Sequence, residues 1–503
     1  MLDQLDELKT KFGPGEAKKL AALLRRLSQH KFRDTESLIR YHELLLFLRA
    51  YPDNATILRA AEKELNGFAK RAEWLSEQDI DISPLEHPEV SGIAGTPVTD
   101  TFSFYIVRWL MKHYPAQMSI YWDWFEDENS LGATWPRFIP LLTEDTFVEA
   151  NIPYREWLKV VRGGRPELSW LIDRFNEMPA SDATRAELYD SQKLYVQWTP
   201  SFRASRTGLR APARKLFYHR GQLIQRRDIN LNREVVQSPP AIRKLSPKDG
   251  ERALDRAREA STVRYRELYG FTHGDPKHVY RADVGRGVEL FVSGLPPERR
   301  LPLRAYHSVM IFKNGIPVGY FESLTLFERM ESGFNLYYTF RDGETAWLYA
   351  RVLNVMHHLT GATAFTLDPY QIGYENEEGI ESGAFWFYRK LGFRPTRREL
   401  LSLTKKEEQK IATRKQYRTP AKTLRELAQG PMIFQLSGTE NHDWDSFQIR
   451  NVGFELRGSL NAAMALLPER VRRAKTAAAE EITYLRLMQK DKALRGKVIS
   501  LGS

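Results

Sequence analysis

The stretch ESGAFWFYRKLGFRP, residues 381–395, places four consecutive aromatic side chains just before a basic pair and a glycine. If it forms a helix that ends at Gly392, these four rings cover nearly its whole circumference, and we expect neighbours on most sides. Ala384, Tyr388 and Leu391 would share one stripe of that helix. The stretch alone leaves two interpretations of Tyr388 open: a core side chain, or a group that faces a ligand.

The elements around this stretch alternate between helix and strand from residue 240 onward. Their patterns predict, in order, a strand, a helix, a hairpin, a strand, a helix, a strand, the helix above and a last strand over residues 393–403. The hairpin turn contains Asn314-Gly315, which favours a type I′ turn, and the long helix after it is expected to stop at Gly361. This order predicts an α/β domain with a mixed sheet over residues 240–402.

Three further regions flank this domain. Residues 1–97 contain amphipathic helices separated by turns, which predict a helical packing module. Residues 98–239 hold seven of the eleven tryptophans, which favours a helical region with a large aromatic core and leaves ligand stacking as the alternative. Residues 403–503 are basic and predict a helical C-terminal extension. A chain of 503 residues is too long for one core, so two to four domains are expected.

Composition excludes several classes of function. The chain has no cysteine, so it lacks disulfides, thiolate catalysis and cysteine-ligated metal centres. The first residues are charged, and no run approaches the roughly 20 apolar residues that span a bilayer. We therefore expect a cytoplasmic protein with no membrane partner. The net charge of +11 favours acidic partners without choosing among them.

The strongest charge pattern lies in residues 201–227, which contain eight basic residues and no acidic one; the next acid is Asp228. Phe202, Phe217 and Tyr218 are interleaved with them, and arginine beside stacked aromatics is typical of nucleic-acid surfaces. Three interpretations stay open: a solvated connector, a site for a phosphate-bearing ligand, and a surface for nucleic acid. The basic residues are Arg203, Arg206, Arg210, Arg214, Lys215, Arg220, Arg226 and Arg227.

Three pieces of residues 240–402 resemble the GCN5-related N-acetyltransferase (GNAT) superfamily. IRKLSPKDGERALD, from residue 242, looks like the first strand and helix of that family, and NGIPVGYFE, from residue 314, looks like its second hairpin. AFWFYRKLGF, from residue 384, looks like its final helix, in which a tyrosine four residues before a glycine usually faces the thioester sulfur. The resemblance covers about a third of the chain and implies a GNAT-like fold for it.

The resemblance also implies acetyl-CoA or another acyl-CoA as cosubstrate, with Tyr388 as the acid that protonates the leaving thiolate. The family's diphosphate loop runs Gln/Arg-x-x-Gly-x-Gly/Ala and corresponds here to RDGETA, residues 341–346. The sequence departs from the family at Glu344, which replaces the first glycine, and at Glu381, which replaces an asparagine. The candidate cofactor-binding residues are Arg341, Gly343, Glu344, Thr345 and Ala346.

Acidic side chains are candidates for the base that takes a proton from the attacking amine. Glu381 ends the acid-rich segment LDPYQIGYENEEGIE, and Glu322 in the predicted hairpin is a second candidate. Strand ends in α/β sheets often line sites, but acids near a helix start also stabilise the helix by about 0.3–1 kcal/mol each. The acids of the segment are Asp368, Glu375, Glu377, Glu378 and Glu381.

Two short stretches contain histidine beside aspartate, HGDPKH and HDWD. Both lack a known ligand spacing, so we expect no metal.

Together these features predict an N-acyltransferase that moves an acyl group from acyl-CoA to the amine of a small molecule or peptide. Two alternatives stay open. A GNAT-fold protein that has lost catalysis would use its basic surface, residues 203–227, to bind nucleic acid or protein, and the altered loop at 341–346 favours this. A tRNA-dependent aminoacyltransferase would instead take its donor group from tRNA bound to the same surface.

Overall fold

A computed structural model of the chain describes residues 1–148, 152–213, 215–301, 303–457 and 480–502. Helices make up most of the N-terminal and C-terminal parts, and a large mixed sheet lies between them. The predicted α/β class is therefore confirmed. Short 3₁₀ helices occur at Ser83–Glu86, Pro115–Gln117, Trp122–Trp124, Trp135–Arg137, Arg226–Asp228, Pro276–His278, Pro297–Arg299, Tyr338–Phe340 and Pro369–Ile372.

Five helices form the N-terminal part, as the apolar periodicity predicts. Asp34 caps α3 by accepting a hydrogen bond from the Ser37 N–H, and Asn54 caps α4 in the same way. The helix α3 is buried on nearly all sides, because it lies between the other helices and the large sheet. The five helices are α1 (Leu2–Leu8), α2 (Pro14–Ser28), α3 (Thr35–Ala50), α4 (Ala55–Asn66) and α5 (Ala69–Glu77).

The tryptophan-rich part has its own small sheet and its own core. Its strands are β1 (Val98–Asp100), β2 (Met118–Ile120) and β3 (Val196–Trp198), with β3 in the centre. Trp135 and Trp198 are fully buried, so aromatic burial explains most of this composition. Its helices are α6 (Phe104–His113), α7 (Asn129–Gly132), α8 (Leu142–Val148), α9 (Tyr154–Val161), α10 (Glu167–Glu177) and α11 (Asp182–Asp190).

The large sheet contains nine strands in the order β11-β12-β10-β9-β8-β7-β6-β5-β4. All neighbouring strands are antiparallel except β9 and β10, which are parallel and joined by the crossover helix α15. The strands are β4 (Ala241–Lys244), β5 (Val279–Gly285), β6 (Val288–Ser293), β7 (Ala305–Lys313), β8 (Ile316–Leu326), β9 (Arg329–Leu336), β10 (Ala364–Leu367), β11 (Arg394–Pro395) and β12 (Met432–Gln435). The accompanying helices are α12 (Leu231–Val236), α13 (Pro247–Thr262), α14 (Tyr269–Thr272), α15 (Thr345–Thr360), α16 (Glu377–Glu381), α17 (Ala384–Arg389), α18 (Arg398–Thr413) and α19 (Ala421–Leu427).

Local signals place several of these elements correctly. Asn314 and Gly315 both have positive φ, 50° and 80°, as the predicted type I′ turn between β7 and β8 requires. Gly361 ends α15 in the left-handed conformation, with φ 77°. Ser246 caps α13 by accepting a hydrogen bond from the Asp249 N–H. Each of these signals acts within a few residues of the chain.

The prediction of a last strand over residues 393–403 is wrong. Only Arg394–Pro395 pairs in the sheet, and α18 begins at Arg398. Leu400, Thr404 and Glu407 are buried at a spacing of four and three residues, which is the period of a helix. The sequence prediction also missed the hairpin β5–β6 and the strand β12. The sheet therefore continues past residue 402, where we placed the end of the α/β domain.

The C-terminal helices pack against one end of the strands of the large sheet, at the starts of β7 and β10. Trp444, Tyr484 and Leu485 form an apolar cluster there with Ala305 and Ala364. The terminal helices that we predicted within residues 459–497 lie partly outside the described residues. None of the described helices is both long and apolar enough to cross a membrane. The helices are α20 (Asp443–Ser446), α21 (Ile449–Arg457), α22 (Glu481–Gln489) and α23 (Lys492–Gly502).

Candidate functional site

A cleft of about 500 Å³ opens beside the C-terminal end of β9. Four parts of the chain form its walls: residues 224–226, the end of β9, the loop at 341–346 with the start of α15, and residues 371–388, which contain α16 and α17. This is the place where the parallel pair β9 and β10 meets the helix between them. The cleft is lined by Ile224, Gln225, Arg226, Phe334, Asn335, Leu336, Arg341, Asp342, Gly343, Thr345, Ala346, Gln371, Asn376, Glu378, Gly379, Ser382, Ala384, Phe387 and Tyr388.

Tyr388 lies on α17 and is both a core residue and a lining residue of the cleft. Its ring centroid is 5.5 Å from that of Tyr349 and 5.6 Å from that of Phe393, and only 3% of the residue is exposed. Burial raises the pKa of the Tyr388 hydroxyl above its ordinary value, so the hydroxyl stays protonated at neutral pH. Such a group can donate a proton or a hydrogen bond to a ligand in the cleft.

Five of the six residues of the loop at 341–346 line the cleft. They are Arg341, Asp342, Gly343, Thr345 and Ala346. Among the residues that the structure describes, no side chain caps the N-terminus of α15, so its first N–H groups and the positive end of the helix dipole can face an anion. At Gly343 a Cβ atom would lie 2.5 Å from the Tyr51 hydroxyl oxygen, so this close approach requires glycine.

Glu344 does not line the cleft, although it stands where the GNAT family has glycine. Its side chain is 1% exposed and pairs with Arg286, whose Nε lies 3.0 Å from Glu344 Oε2. It also accepts a hydrogen bond of 3.0 Å from the Ile224 N–H, and Lys313 Nζ lies 3.9 Å from it. Burial lowers the pKa of Lys313 to about 7, with Arg286 adding to that effect and Glu344 opposing it. The carboxylate is thus held away from any anion in the cleft.

The acidic candidates occupy different positions. Glu378 lines the cleft and forms an ion pair with Arg341. Glu381 is exposed at the end of α16 and is not a lining residue. Glu322, on β8, accepts a hydrogen bond from the Tyr306 hydroxyl, and burial raises the pKa of its carboxyl. Glu322 is also not a lining residue, but it pairs with Gly333 on β9, two residues from Asn335 on the same face of the sheet.

The other acids of the predicted acid-rich segment are engaged elsewhere. Asp368 accepts a hydrogen bond from the Tyr370 N–H, and Arg450 also contacts it. Glu377 pairs with Arg425 at 2.8 Å. Glu375 is exposed. Of this segment, only Glu378 therefore contributes an acid to the wall of the cleft.

The basic segment does not form one exposed face. Arg206 is buried and pairs with Glu43 at 2.8 Å, while Arg210 pairs with Glu62 at 2.6 Å. Arg226 lines the cleft. Arg203, Lys215, Arg220 and Arg227 are exposed, and Arg214 lies outside the described residues. The segment runs between the N-terminal helices and the hairpin turn at Asn314, which accepts a hydrogen bond from the Phe217 N–H.

Several lining residues carried no signal in the sequence. Asn335, Gln371, Asn376 and Ser382 have polar side chains that converge only because β9 and the segment before α17 meet in space. Arg226 comes from a segment that lies 115 residues before Arg341, so no local pattern relates the two. The rule that ligands bind at strand ends of α/β sheets predicts the region but not these residues.

Comparisons with protein-family models, with characterised proteins and with solved structures found no match to this chain. Within the described residues, no group of three or more histidine, aspartate or glutamate side chains is placed to hold a metal ion. The residues of the cleft are therefore the basis for assigning a function.

Proposed function

We propose that the protein is an N-acyltransferase that uses acetyl-CoA or another acyl-CoA and acylates an amine in this cleft. The observation that carries the proposal is that Tyr388 and the loop at 341–346 line the same cleft, although more than 40 residues separate them in the chain. The GNAT resemblance assigns the acid to the first and the diphosphate contact to the second. The parallel pair β9 and β10, joined by α15, supports the same assignment.

The residues of the cleft fit an acyl-CoA. The start of α15 offers N–H donors to a diphosphate, and Arg226 adds positive charge. Two acids also line the cleft, but Asp342 pairs with Lys9 at 2.7 Å and Glu378 pairs with Arg341. Beyond Arg226 the cleft adjoins a wider cavity of about 970 Å³ between α1 and residues 222–227, which gives room for a long cosubstrate.

Bound acyl-CoA would supply a thioester, whose C–S bond breaks as the acceptor nitrogen forms a C–N bond to the acyl carbon. Tyr388, which is protonated at neutral pH, would give its hydroxyl proton to the departing sulfur. Glu378 is the acid of the cleft that can take the proton lost by the amine nitrogen. Glu322 would act on the same proton only through an intervening group, since it does not line the cleft.

Binding measurements test the proposal directly. CoA, acetyl-CoA and bulk tRNA are each titrated at two salt concentrations, and the shift in melting temperature of the protein is recorded. We expect saturable stabilisation by CoA and acetyl-CoA in the micromolar range. No stabilisation at millimolar CoA would contradict the proposal, and strongly salt-dependent binding of tRNA alone would support the nucleic-acid alternative.

The variant Thr345→Glu separates CoA binding from folding. A glutamate in the first turn of α15 suits the helix dipole, so the fold is retained, but its charge repels a diphosphate at the same place. We expect the affinity for CoA to fall at least tenfold. The matched control is Ala183→Glu, which adds the same charge to the exposed first turn of α11, outside the cleft, and leaves the affinity unchanged.

A further inference from the structure

A second, smaller cavity of about 20 Å³ adjoins the cleft. Asn335, Arg341 and Glu378 line both, so the two cavities share a wall that contains the ion pair of Arg341 and Glu378. Its inner wall contains Arg264 and Arg266, which follow α13 in the chain. Tyr337, the residue directly after β9, lies beside them. These side chains are unused by the proposed acyl transfer.

Arg264 is a buried cation that forms no ion pair with the described residues; the nearest electrostatic influence of an acid comes from Glu43, which pairs with Arg206. Its guanidinium lies 4.1 Å from the centroid of the Tyr337 ring, and its Nη1 donates a hydrogen bond of 2.6 Å to the carbonyl oxygen of Ala260. The residue is 4% exposed, and its Nε has no hydrogen-bond partner. Burial lowers the pKa of Arg264 to about 10. Among the described residues, no carboxylate lies close enough to form an ion pair with it.

Arg266 and Tyr337 also have unused hydrogen-bonding capacity at this cavity. Arg266 donates through Nη1 to the Tyr320 hydroxyl at 3.2 Å, and in the described part of the chain it too lacks an ion pair. The Tyr337 hydroxyl is buried and has no hydrogen-bond partner. The other charged residues at the cavity are Arg206, which pairs with Glu43, Arg341, which pairs with Glu378, and Glu89.

The energetics of this arrangement favour a bound anion. A buried guanidinium that lacks an anion destabilises the folded state, and so does a buried hydroxyl without a hydrogen-bond partner. A carboxylate would satisfy these groups, because arginine binds its two oxygens in a planar fork. The volume of about 20 Å³ is small, so it favours a carboxylate over the larger, four-oxygen phosphate.

We propose that Arg264 and Arg266 bind the carboxylate of the acceptor, so that the acylated amine belongs to a molecule of the amino-acid type. This rests on the proposed function, because it assigns the acceptor half of the same reaction. The amine would lie in the cleft among Asn335, Glu378 and Tyr388, while the acid group occupies the small cavity. An amine without an acid group would leave both arginines unpaired.

The test compares each of the twenty common L-amino acids with its carboxamide. Binding to the full-length protein is measured by ligand-observed NMR, with no acyl donor present. We expect at least one amino acid to bind, and its amide to bind at least tenfold more weakly. Arg266→Gln should weaken the binding of that amino acid at least tenfold, and Tyr337→Phe by a few fold. Arg252→Gln, on the exposed face of α13, is the matched control and should change nothing.

Equal binding of acids and amides, or unchanged binding in Arg266→Gln, would overturn the proposal. Binding of inorganic phosphate in place of every amino acid would do the same, since it would make the cavity a phosphate site. Acetyl-CoA is titrated separately against the same variants, and we expect its affinity to be unaltered in Arg266→Gln. If acetyl-CoA does not bind but the arginine-dependent preference for an acid remains, the carboxylate site stands and the proposed acyl transfer is contradicted.

Discussion

At the scale of single residues, Tyr388 combines two roles that its sequence context left as alternatives. The packing of its ring against Tyr349 and Phe393 fixes its position in the core, and the same residue lines the cleft. A hydroxyl in a rigid setting can act as an acid without losing side-chain entropy when a ligand binds. This is how a residue of the core can also serve a reaction.

We expect Tyr388→Phe to lower kcat for acyl transfer about 100-fold or more, because it removes the proton donor. The ring contacts remain, so the affinity for acetyl-CoA and the melting temperature should stay close to those of the wild type. Steady-state kinetics and calorimetry give the two readouts. Tyr349→Phe is the control, since Tyr349 packs on Tyr388 but does not line the cleft. An unchanged kcat in Tyr388→Phe would assign Tyr388 to the core alone.

His219 makes the stability of the protein sensitive to acid. It is 1% exposed, and burial, with Lys313 and Arg286 close by, lowers its pKa to about 2. Below pH 6.5, His219 is therefore protonated in the unfolded chain but stays neutral in the folded protein. The free energy of unfolding therefore falls as the pH falls. The free energy of unfolding is measured by urea titration between pH 6.5 and 5. We expect His219→Phe to reduce the slope of this free energy against pH by about 1 kcal/mol per pH unit.

The control for that prediction is His442→Gln, whose side chain is 87% exposed and so meets nearly the same solvent in both states. It should leave the slope of stability against pH as in the wild type. If His219→Phe leaves the slope of stability against pH unchanged, other groups cause the loss of stability in acid.

At the scale of elements, the turn between β7 and β8 holds three parts of the chain together. Asn314 is buried, and its Nδ2 donates hydrogen bonds of 2.9 Å to the carbonyl oxygens of Ala50 and Phe217. Its Oδ1 accepts a hydrogen bond of 2.8 Å from the Phe217 N–H. One side chain thus joins the end of α3, the basic segment and the hairpin that precedes β9.

We expect Asn314→Gly to lower the free energy of unfolding by about 2–3 kcal/mol, because it leaves buried backbone groups of Ala50 and Phe217 unpaired. Glycine tolerates the positive φ of 50° at this position, so the loss reports the side-chain hydrogen bonds and not backbone strain. Equilibrium urea unfolding provides the measurement. The exposed Asn66 at the end of α4 gives the control Asn66→Gly, and equal losses in both variants would contradict this account.

At the scale of the whole molecule, the apolar cores do not coincide with the regions that the sequence predicted. Leu45 on α3 belongs to the same core as Val309 and Phe321 in the large sheet. Leu171 on α10 belongs to the separate core of the tryptophan-rich part. The N-terminal helices and the sheet that carries the cleft therefore depend on one another for burial of their apolar surface.

We expect Leu45→Ala and Leu171→Ala each to cost about 2–5 kcal/mol, because both side chains are fully buried. Hydrogen exchange measured by mass spectrometry distinguishes the two cores. Leu45→Ala should speed exchange in α3 and in β7 and β8 together, whereas Leu171→Ala should speed it within residues 98–204. Faster exchange in α3 with unchanged exchange in β7 and β8 would contradict a shared core.

The sequence predicted the mixed sheet and the region of the cleft, but not all of its walls. Tyr388 and four of the five loop residues that we named line the cleft, while Glu344, Glu322 and Glu381 do not. The difference arises because a family pattern specifies positions along the chain, whereas Glu344 is turned inward by Arg286 and Lys313 from distant strands. That Tyr388 and the loop at 341–346 form a catalytic and binding site stays a prediction.

The sequence by itself determined what local chemistry controls: the turn at Asn314-Gly315 and the helix end at Gly361. Only the tertiary structure decided which charges are free and which are paired. It placed β12 in the sheet, turned Glu344 away from the cleft and buried Arg264 where no described residue accepts a hydrogen bond from its Nε. Caps and turns depend on a few adjacent residues, but ion pairs and strand pairing join residues far apart, and burial sets their energy.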